Sequence, residues 1–201
     1  MEQQKRRVLL EAMVEELVQG GYKGTSGARA CAAAAVTREE FETEFADTDA
    51  ALLAAYEELT AGILARTAAR CGEVGSWPER IRTGLGALLE ELAARPRLAQ
   101  AVTRSFSAIR PAAYERFLAL GSLFVPYVRE GIEYTGAVEE LPAEVELLAV
   151  GAAETIIFGE LEAGRAERLP AMLPEILFSL LAPFLGADRA AREMRSATAF
   201  G

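Results

Sequence analysis

Residues 25–45 read TSGARACAAAAVTREEFETEF, and the reading of this stretch decides the fold. Ala30, Ala33 and Ala34 put small side chains where two helices must approach closely, and Val36 can plug the corner between them. Thr37 followed by Glu40 is the S/T-x-x-E signature of a helix start, in which hydroxyl and carboxylate each satisfy an orphan backbone N–H. Phe41 and Phe45 are four residues apart, so they share a face that must turn inward. Arg38, Glu39, Glu42, Thr43 and Glu44 are left outward. The pattern predicts a short helix, a tight connection at Ala35–Val36–Thr37 and a second short helix with a polar outer face, which is a helix-turn-helix.

Upstream, Val8, Leu9, Ala12, Met13 and Leu17 keep the helical period over residues 4–19, and Gly20–Gly21 closes that helix. Downstream, Asp47 or Thr48 can cap a long helix reaching Arg70, with Leu52, Leu53, Tyr56, Leu59, Ile63 and Leu64 as its apolar positions. Ser76-Trp-Pro-Glu79 opens the next helix, with Pro78 in its first turn, and Arg95–Pro96 ends it. A short helix follows to Phe106, and residues 112–134 predict a long aromatic-rich helix that Pro126 kinks or breaks near Phe124–Val125. Pro142 begins a helix ending near Gly164, and residues 171–185 form a last one; the polar, Ala-rich tail Asp188–Gly201 is expected to fray. No strand signal, internal repeat or phosphate-binding glycine loop occurs. The fold class is all-α, with a helix-turn-helix domain over 1–46 and a helical ligand-binding and dimerisation domain over 47–201.

These residues carry a resemblance. Residues 5–56 resemble the N-terminal DNA-binding domain of the TetR family of bacterial transcriptional regulators: Val8-Leu9-Leu10-Glu11-Ala12 opens the first helix, Gly20-Gly21-Tyr22 closes it, Thr25-Ser26 opens the second, and Ala34-Ala35-Val36-Thr37 stands where the family has Ala-Gly-Val-Ser. The resemblance covers the first quarter of the chain. It implies a homodimer whose two reading helices enter successive major grooves of a double-stranded DNA operator. It further implies that Arg38, Glu42 and Thr43 touch bases while Lys5, Arg6, Lys23, Thr25 and Thr37 touch phosphates. The departures are Ala30 for an aliphatic residue, Cys31 for Ala, Ala35 for the turn glycine, Glu42 for an aromatic and Glu44 for His.

Charge cuts against easy DNA binding. The chain carries a formal −9, and Thr37–Phe45 holds one Arg against four Glu. Affinity for DNA rests largely on cations meeting phosphates, although a Glu can accept from the cytosine N4 amino group. The basic residues Lys5, Arg6 and Arg7 form an arm at the start. The acidic reading segment keeps a second reading open: a TetR-like helical module for ligand or protein partners in which DNA binding is weak or lost.

Composition excludes much else. No histidine is present, which removes the commonest general base and metal ligand; no metal site and no cofactor are expected, and adjacent pairs such as Glu39–Glu40 or Glu90–Glu91 point about 100° apart on a helix and do not converge. The chain does not read as an enzyme. Cys31 and Cys71 are isolated, and Cys31 reads as a packed small residue. No apolar run reaches the ~20 residues of a membrane span, and acidic residues interrupt the start, so the reading is cytoplasmic with no membrane partner.

For the second domain, Trp77, Phe106, Tyr114, Phe117, Phe124, Tyr127 and Phe158 form an aromatic band that either fills a core or lines a pocket for a small apolar or amphipathic effector, with Glu154 among its polar groups. Arg104 and Arg110 could meet an anionic ligand. The last two helices have more apolar surface than one chain needs to bury, which points to a partner surface; by the resemblance, Leu148, Ala152, Ile156, Ile176, Leu177, Leu180 and Phe184 make the dimer interface. The resulting reading is a ligand-responsive, homodimeric transcriptional repressor.

Overall fold

The computed structural model describes residues 2–71, 75–106, 124–136 and 141–198, with only the backbone described at a few helix positions such as Phe106. Every regular element among them is helical: α1 Gln3–Gly24, α2 Gly27–Ala34, α3 Arg38–Glu44, α4 Thr48–Cys71, α5 Trp77–Ala94, α6 Pro96–Phe106, α7 Val125–Thr135, α8 Val145–Glu162, a 3-10 segment Ala166–Met172, α9 Leu173–Leu185 and α10 Ala187–Thr198. The chain folds as two compact units, one of Met1–Gly62 with Arg97–Arg116 and one of Ile63–Pro96 with Phe117–Gly201.

The first unit is a small helical core. Leu9, Leu10, Met13 and Leu17 of α1 meet Ala30, Cys31 and Ala34 of α2, then Val36, Phe41 and Phe45, and are closed by Ala51, Leu52 and Ala55 at the start of α4. α1 breaks where the glycine pair stands: Gly21 adopts φ 64°, the left-handed region that favours a residue without Cβ. Ser26 caps α2 by accepting from the Arg29 N–H at 3.3 Å, and Asp47 caps α4 by accepting from the Ala50 N–H at 2.8 Å. Burial pushes the Cys31 thiol pKa up, so it is a packing group rather than a reactive one.

The second unit is built around α9, which packs on α5, α7, α8, α10 and the 3-10 segment. Leu169, Ile176, Leu177 and Leu181 are fully enclosed. Ala166–Leu185 is long and apolar enough to cross a membrane by length and composition, and 33 % of it is buried within the protein. Ser76 and Glu79 form a capping box before α5, with Pro78 in the first turn. Trp77 is buried at 2 % exposure, and its Nε1 donates to the Tyr127 carbonyl at 2.9 Å.

Two sequence expectations change here. The tail is not frayed over 188–198: α10 is a helix that packs on α9, with Ala190 fully enclosed, because Ala, Arg and Glu are strong helix formers even where the average composition is polar. α8 starts at Val145, not Pro142, since Glu144 turns into the left-handed region at φ 63°. Its apolar residues do not share one side: Val145, Ala149, Val150, Ala153, Ile157 and Leu161 are buried, while Leu147 and Leu148 are 44 % and 67 % exposed. The predicted break near Phe124–Val125 is partly visible, since α7 begins at Val125 with Pro126 in its first turn; residues 112–123 lie outside the described ones.

Candidate nucleic-acid interface

The helix-turn-helix is assembled from short-range contacts. Ala35 occupies the left-handed region at φ 52° and reverses the chain after α2, a conformation that costs a non-glycine residue about 1–2 kcal/mol. Thr37 then caps α3: its Oγ1 accepts from the Glu40 N–H at 3.2 Å, and the Glu40 carboxylate accepts from the Thr37 N–H at 2.8 Å. Phe41 and Phe45 are buried, with ring centroids 5.6 Å apart. Phe45 is the residue that ends α3 rather than part of its last turn.

That anchoring leaves Arg38, Glu39, Glu42, Thr43 and Glu44 exposed. Arg38 and Glu42 pair across one turn, Nε to Oε1 at 2.6 Å, with the Arg38 side chain 89 % exposed. The Glu42 carboxylate raises the Arg38 pKa. Thr43 Oγ1 donates to the Glu39 carbonyl at 2.8 Å.

The basic arm is not free in this structure. Lys5 Nζ donates to Glu40 at 2.6 Å. Arg6 donates through Nε to Glu44 at 3.0 Å and through Nη1 to Glu58 at 3.1 Å, and its guanidinium lies 5.8 Å from the Phe45 ring centroid. Arg7 stands 3.7 Å from Glu11, and Arg29 pairs with Glu16. Of the other expected phosphate contacts, Lys23 is exposed, Thr25 Oγ1 donates to the Gly21 carbonyl at 2.9 Å, and Thr37 is the cap. Sequence reasoning missed Glu44 and Glu58 as partners of Arg6, because those pairs span 38 and 52 residues and leave no periodic trace.

Lys5, then the Thr37 N–H, lowers the Glu40 pKa from 4.5 to about 2. A depressed carboxylate stabilises the fold above its unfolded pKa and loses that contribution as pH falls through the folded one. The first unit is therefore expected to lose stability between pH 4.5 and about 2, and Glu40→Gln should flatten that part of the acid limb in thermal melts taken across the range.

In the second unit the proposed ligand residues separate. Trp77 is enclosed, packed at 5.3 Å from the Phe184 ring and 5.8 Å from the Tyr134 ring, so it fills the core. Tyr127 is 49 % exposed. Phe124, Glu154 and Phe158 are half-buried, and burial raises the Glu154 pKa. Tyr114, Phe117, Arg110 and the side chains of Phe106 and Arg104 lie outside the described residues. An ion pair that no periodicity announced is Arg129–Glu146: the exposed Arg129 donates through Nε at 2.7 Å to a Glu146 carboxylate that is 3 % exposed.

The proposed dimer residues separate too. Ile176, Leu177, Leu180 and Phe184 are buried within the one chain, where α9 packs on α5, α7, α8, α10 and the 3-10 segment. Leu148 and Ala152 are exposed and Ile156 is half-buried, all on α8.

No protein-family profile matches the sequence, and no curated protein is similar to it in sequence. Solved structures are similar in fold. FadR from Bacillus halodurans, a fatty acid degradation regulator, superposes with a TM-score of 0.70 at 18 % identity over 92 % of this chain and 98 % of that one. FadR from Bacillus subtilis, a transcriptional regulator solved with stearoyl-CoA, gives 0.65 at 17 % identity over 89 % and 97 %. A TetR family transcription regulator from Marinobacter aquaeolei VT8 gives 0.59 at 18 % identity over 96 % and 93 %. The chain shares its all-α fold with these regulators. Its helix-turn-helix carries an acidic α3, with four Glu and one Arg in the helix.

Proposed function

We propose that the chain is a DNA-binding transcriptional regulator that acts as a homodimer and as a ligand-responsive repressor. The observation that carries this reading is α3: capped at Thr37, held by two buried phenylalanines and presenting its polar face to solvent, in a fold shared with transcriptional regulators. Arg38, Glu42 and Thr43 face the bases; Lys5, Arg6, Lys23, Thr25 and Thr37 serve the phosphates. Operator DNA places the protein in the cytoplasm. The exposed α8 positions Leu148 and Ala152 supply the contact with a second copy. The effector is a small apolar or amphipathic molecule held in the second unit, with Tyr127, Phe124, Glu154 and Phe158 as candidates; stearoyl-CoA, bound by the Bacillus subtilis neighbour, is an amphipath of this class. α4 begins in the first unit and ends in the second, so an effector with different affinities for two α4 positions would change DNA affinity by that difference.

The test is binding of the full chain to a pool of randomised duplexes at low salt, read by fluorescence anisotropy, with Arg38→Ala as the control. Retention lost on that substitution supports the reading. No binding to any duplex leaves the second reading, a helical ligand or protein module, which the carboxylates of α3 and the paired basic arm favour.

Two further outcomes follow from this reading. Replacing Glu44 and Glu58 together by Gln releases Arg6 for a phosphate. Tighter binding at low salt is expected, with a plot of log affinity against log salt steeper by about 0.9 per added contact. Leu148→Asp puts a charge on an exposed position and leaves the core intact. Light scattering is expected to report the mass of a single chain for this variant and of two chains for the parent.

A further inference from the structure

We propose that Arg38 and Glu42 act as one composite reader of G·C pairs, with Glu42 selecting cytosine. This rests on the DNA-binding reading above. The ion pair joins Arg38 Nε to Glu42 Oε1 at 2.6 Å, and neither Nη1 and Nη2 of Arg38 nor Oε2 of Glu42 has a partner among the described residues. The pair thus fixes the two side chains against each other and leaves outward the groups that read bases: a two-pronged donor and a single acceptor. Two terminal N–H groups of an arginine match guanine O6 and N7, and a carboxylate oxygen accepts from cytosine N4.

The other exposed groups of α3 narrow the choice. The Thr43 hydroxyl has its proton engaged by the Glu39 carbonyl at 2.8 Å, so towards a base it offers a lone pair and a methyl. Glu39 is exposed and adds another acceptor. On this face Arg38 is the donor; the rest accept. Thymine O4, adenine N7 and guanine O6 and N7 are acceptors too, and a carboxylate brought against them is repelled. Cytosine N4 is the donor not flanked by an acceptor on its own base. Arg38 and Glu42 are also spaced suitably: four residues advance about 6 Å along a helix, one to two base steps of about 3.4 Å.

The same chemistry predicts a switch. Glutamine at position 42 carries both a donor and an acceptor and pairs with adenine N6 and N7. The experiment is selection from randomised duplexes by the full-length parent and by Glu42→Gln, each checked by circular dichroism for an unchanged melt. The parent is expected to enrich guanine and cytosine within two steps of each other, and the cytosine to be preferred about fivefold or more over the other bases in competition binding. With Glu42→Gln, adenine should replace cytosine at that one position while the guanine persists. A parent motif of A·T pairs, or a motif that Glu42→Gln leaves unchanged, overturns the composite reader and leaves the DNA-binding reading standing. A parent that enriches no motif yet is retained on duplexes in the anisotropy assay overturns the composite reader alone, and a parent that binds no duplex at all removes both readings.

Discussion

Phe41→Ala is expected to unfold the reading unit before it meets any DNA. Phe41 is 8 % exposed and stacks at 5.6 Å on Phe45, and truncating a buried phenylalanine typically costs about 3–5 kcal/mol. A unit of roughly 80 residues has a stability of about 4–12 kcal/mol at the usual 0.05–0.15 per residue, so the loss is a large share of the whole. Gly27 lies against the tip of the Phe41 ring, where an added Cβ would be 3.4 Å from Cζ, so that neighbour has no side chain with which to fill the gap. Hydrogen exchange is the direct measurement: amides of α1, α2 and α3 should lose most of their protection. Arg38→Ala, on the exposed face of the same helix, should leave protection unchanged. Equal protection in Phe41→Ala and the parent would mean that α3 is not held by its aromatic face, and the functional reading built on α3 would go with it.

The helix-turn-helix was legible because its instructions are local. A capping box needs residues three apart, an aromatic face needs residues four apart, and a glycine pair ends a helix where it stands; Thr37–Glu40, Phe41–Phe45 and Gly20–Gly21 all act at that range. The same holds for Ser76–Glu79 and for the Arg95–Pro96 break. The second unit obeyed no such short rule. α8 is apolar on more than one side, so its period does not say which side the chain itself covers, and Leu148 and Ala149 lie next to each other with opposite fates. α10 hid behind its charge. It packs on α9, and Ile176 and Leu177 of α9, which read as partner-facing, are enclosed within the one chain.

Site legibility followed the same division. Which side chains of α3 face out could be read from the period, but what they touch could not. Lys5, Arg6 and Arg38 read as a phosphate- and base-seeking set; each has an acidic partner, at Glu40, at Glu44 and Glu58, and at Glu42. Only Glu42 is a helical neighbour of its cation, and the others are brought close by tertiary packing. For DNA to engage Lys5 and Arg6, phosphates must displace carboxylates, which lowers net affinity and raises the share of discrimination carried by base contacts.

The second large effect concerns the packing of the other unit. Gly131→Ala should destabilise it, although alanine in place of glycine ordinarily favours a helix by about 1 kcal/mol. A Cβ at position 131 would lie 2.5 Å from Cζ2 and 2.6 Å from Cη2 of Trp77, and 3.0 Å from Phe184. Trp77 cannot retreat: its indole N–H is tied to the Tyr127 carbonyl at 2.9 Å, and Phe184 and Tyr134 pack against its ring. Overpacking of this kind costs about 1–3 kcal/mol, and the rigidity of a pinned, fully buried indole puts it at the upper end, so the net change should be a loss of about 1–2 kcal/mol after the helix gain. Trp77 is the chain's single tryptophan, so its fluorescence follows this unit alone; denaturant midpoints read at that signal should fall in Gly131→Ala. The two atoms that clash belong to the six-membered ring that phenylalanine places differently, so Trp77→Phe should remove the conflict while incurring its own cost in lost contacts and a lost hydrogen bond. Followed by circular dichroism, the double variant is expected to be more stable than the sum of the two single losses allows. Strict additivity would show that the indole yields to the added methyl, and that the glycine at 131 is not what lets α7 approach Trp77.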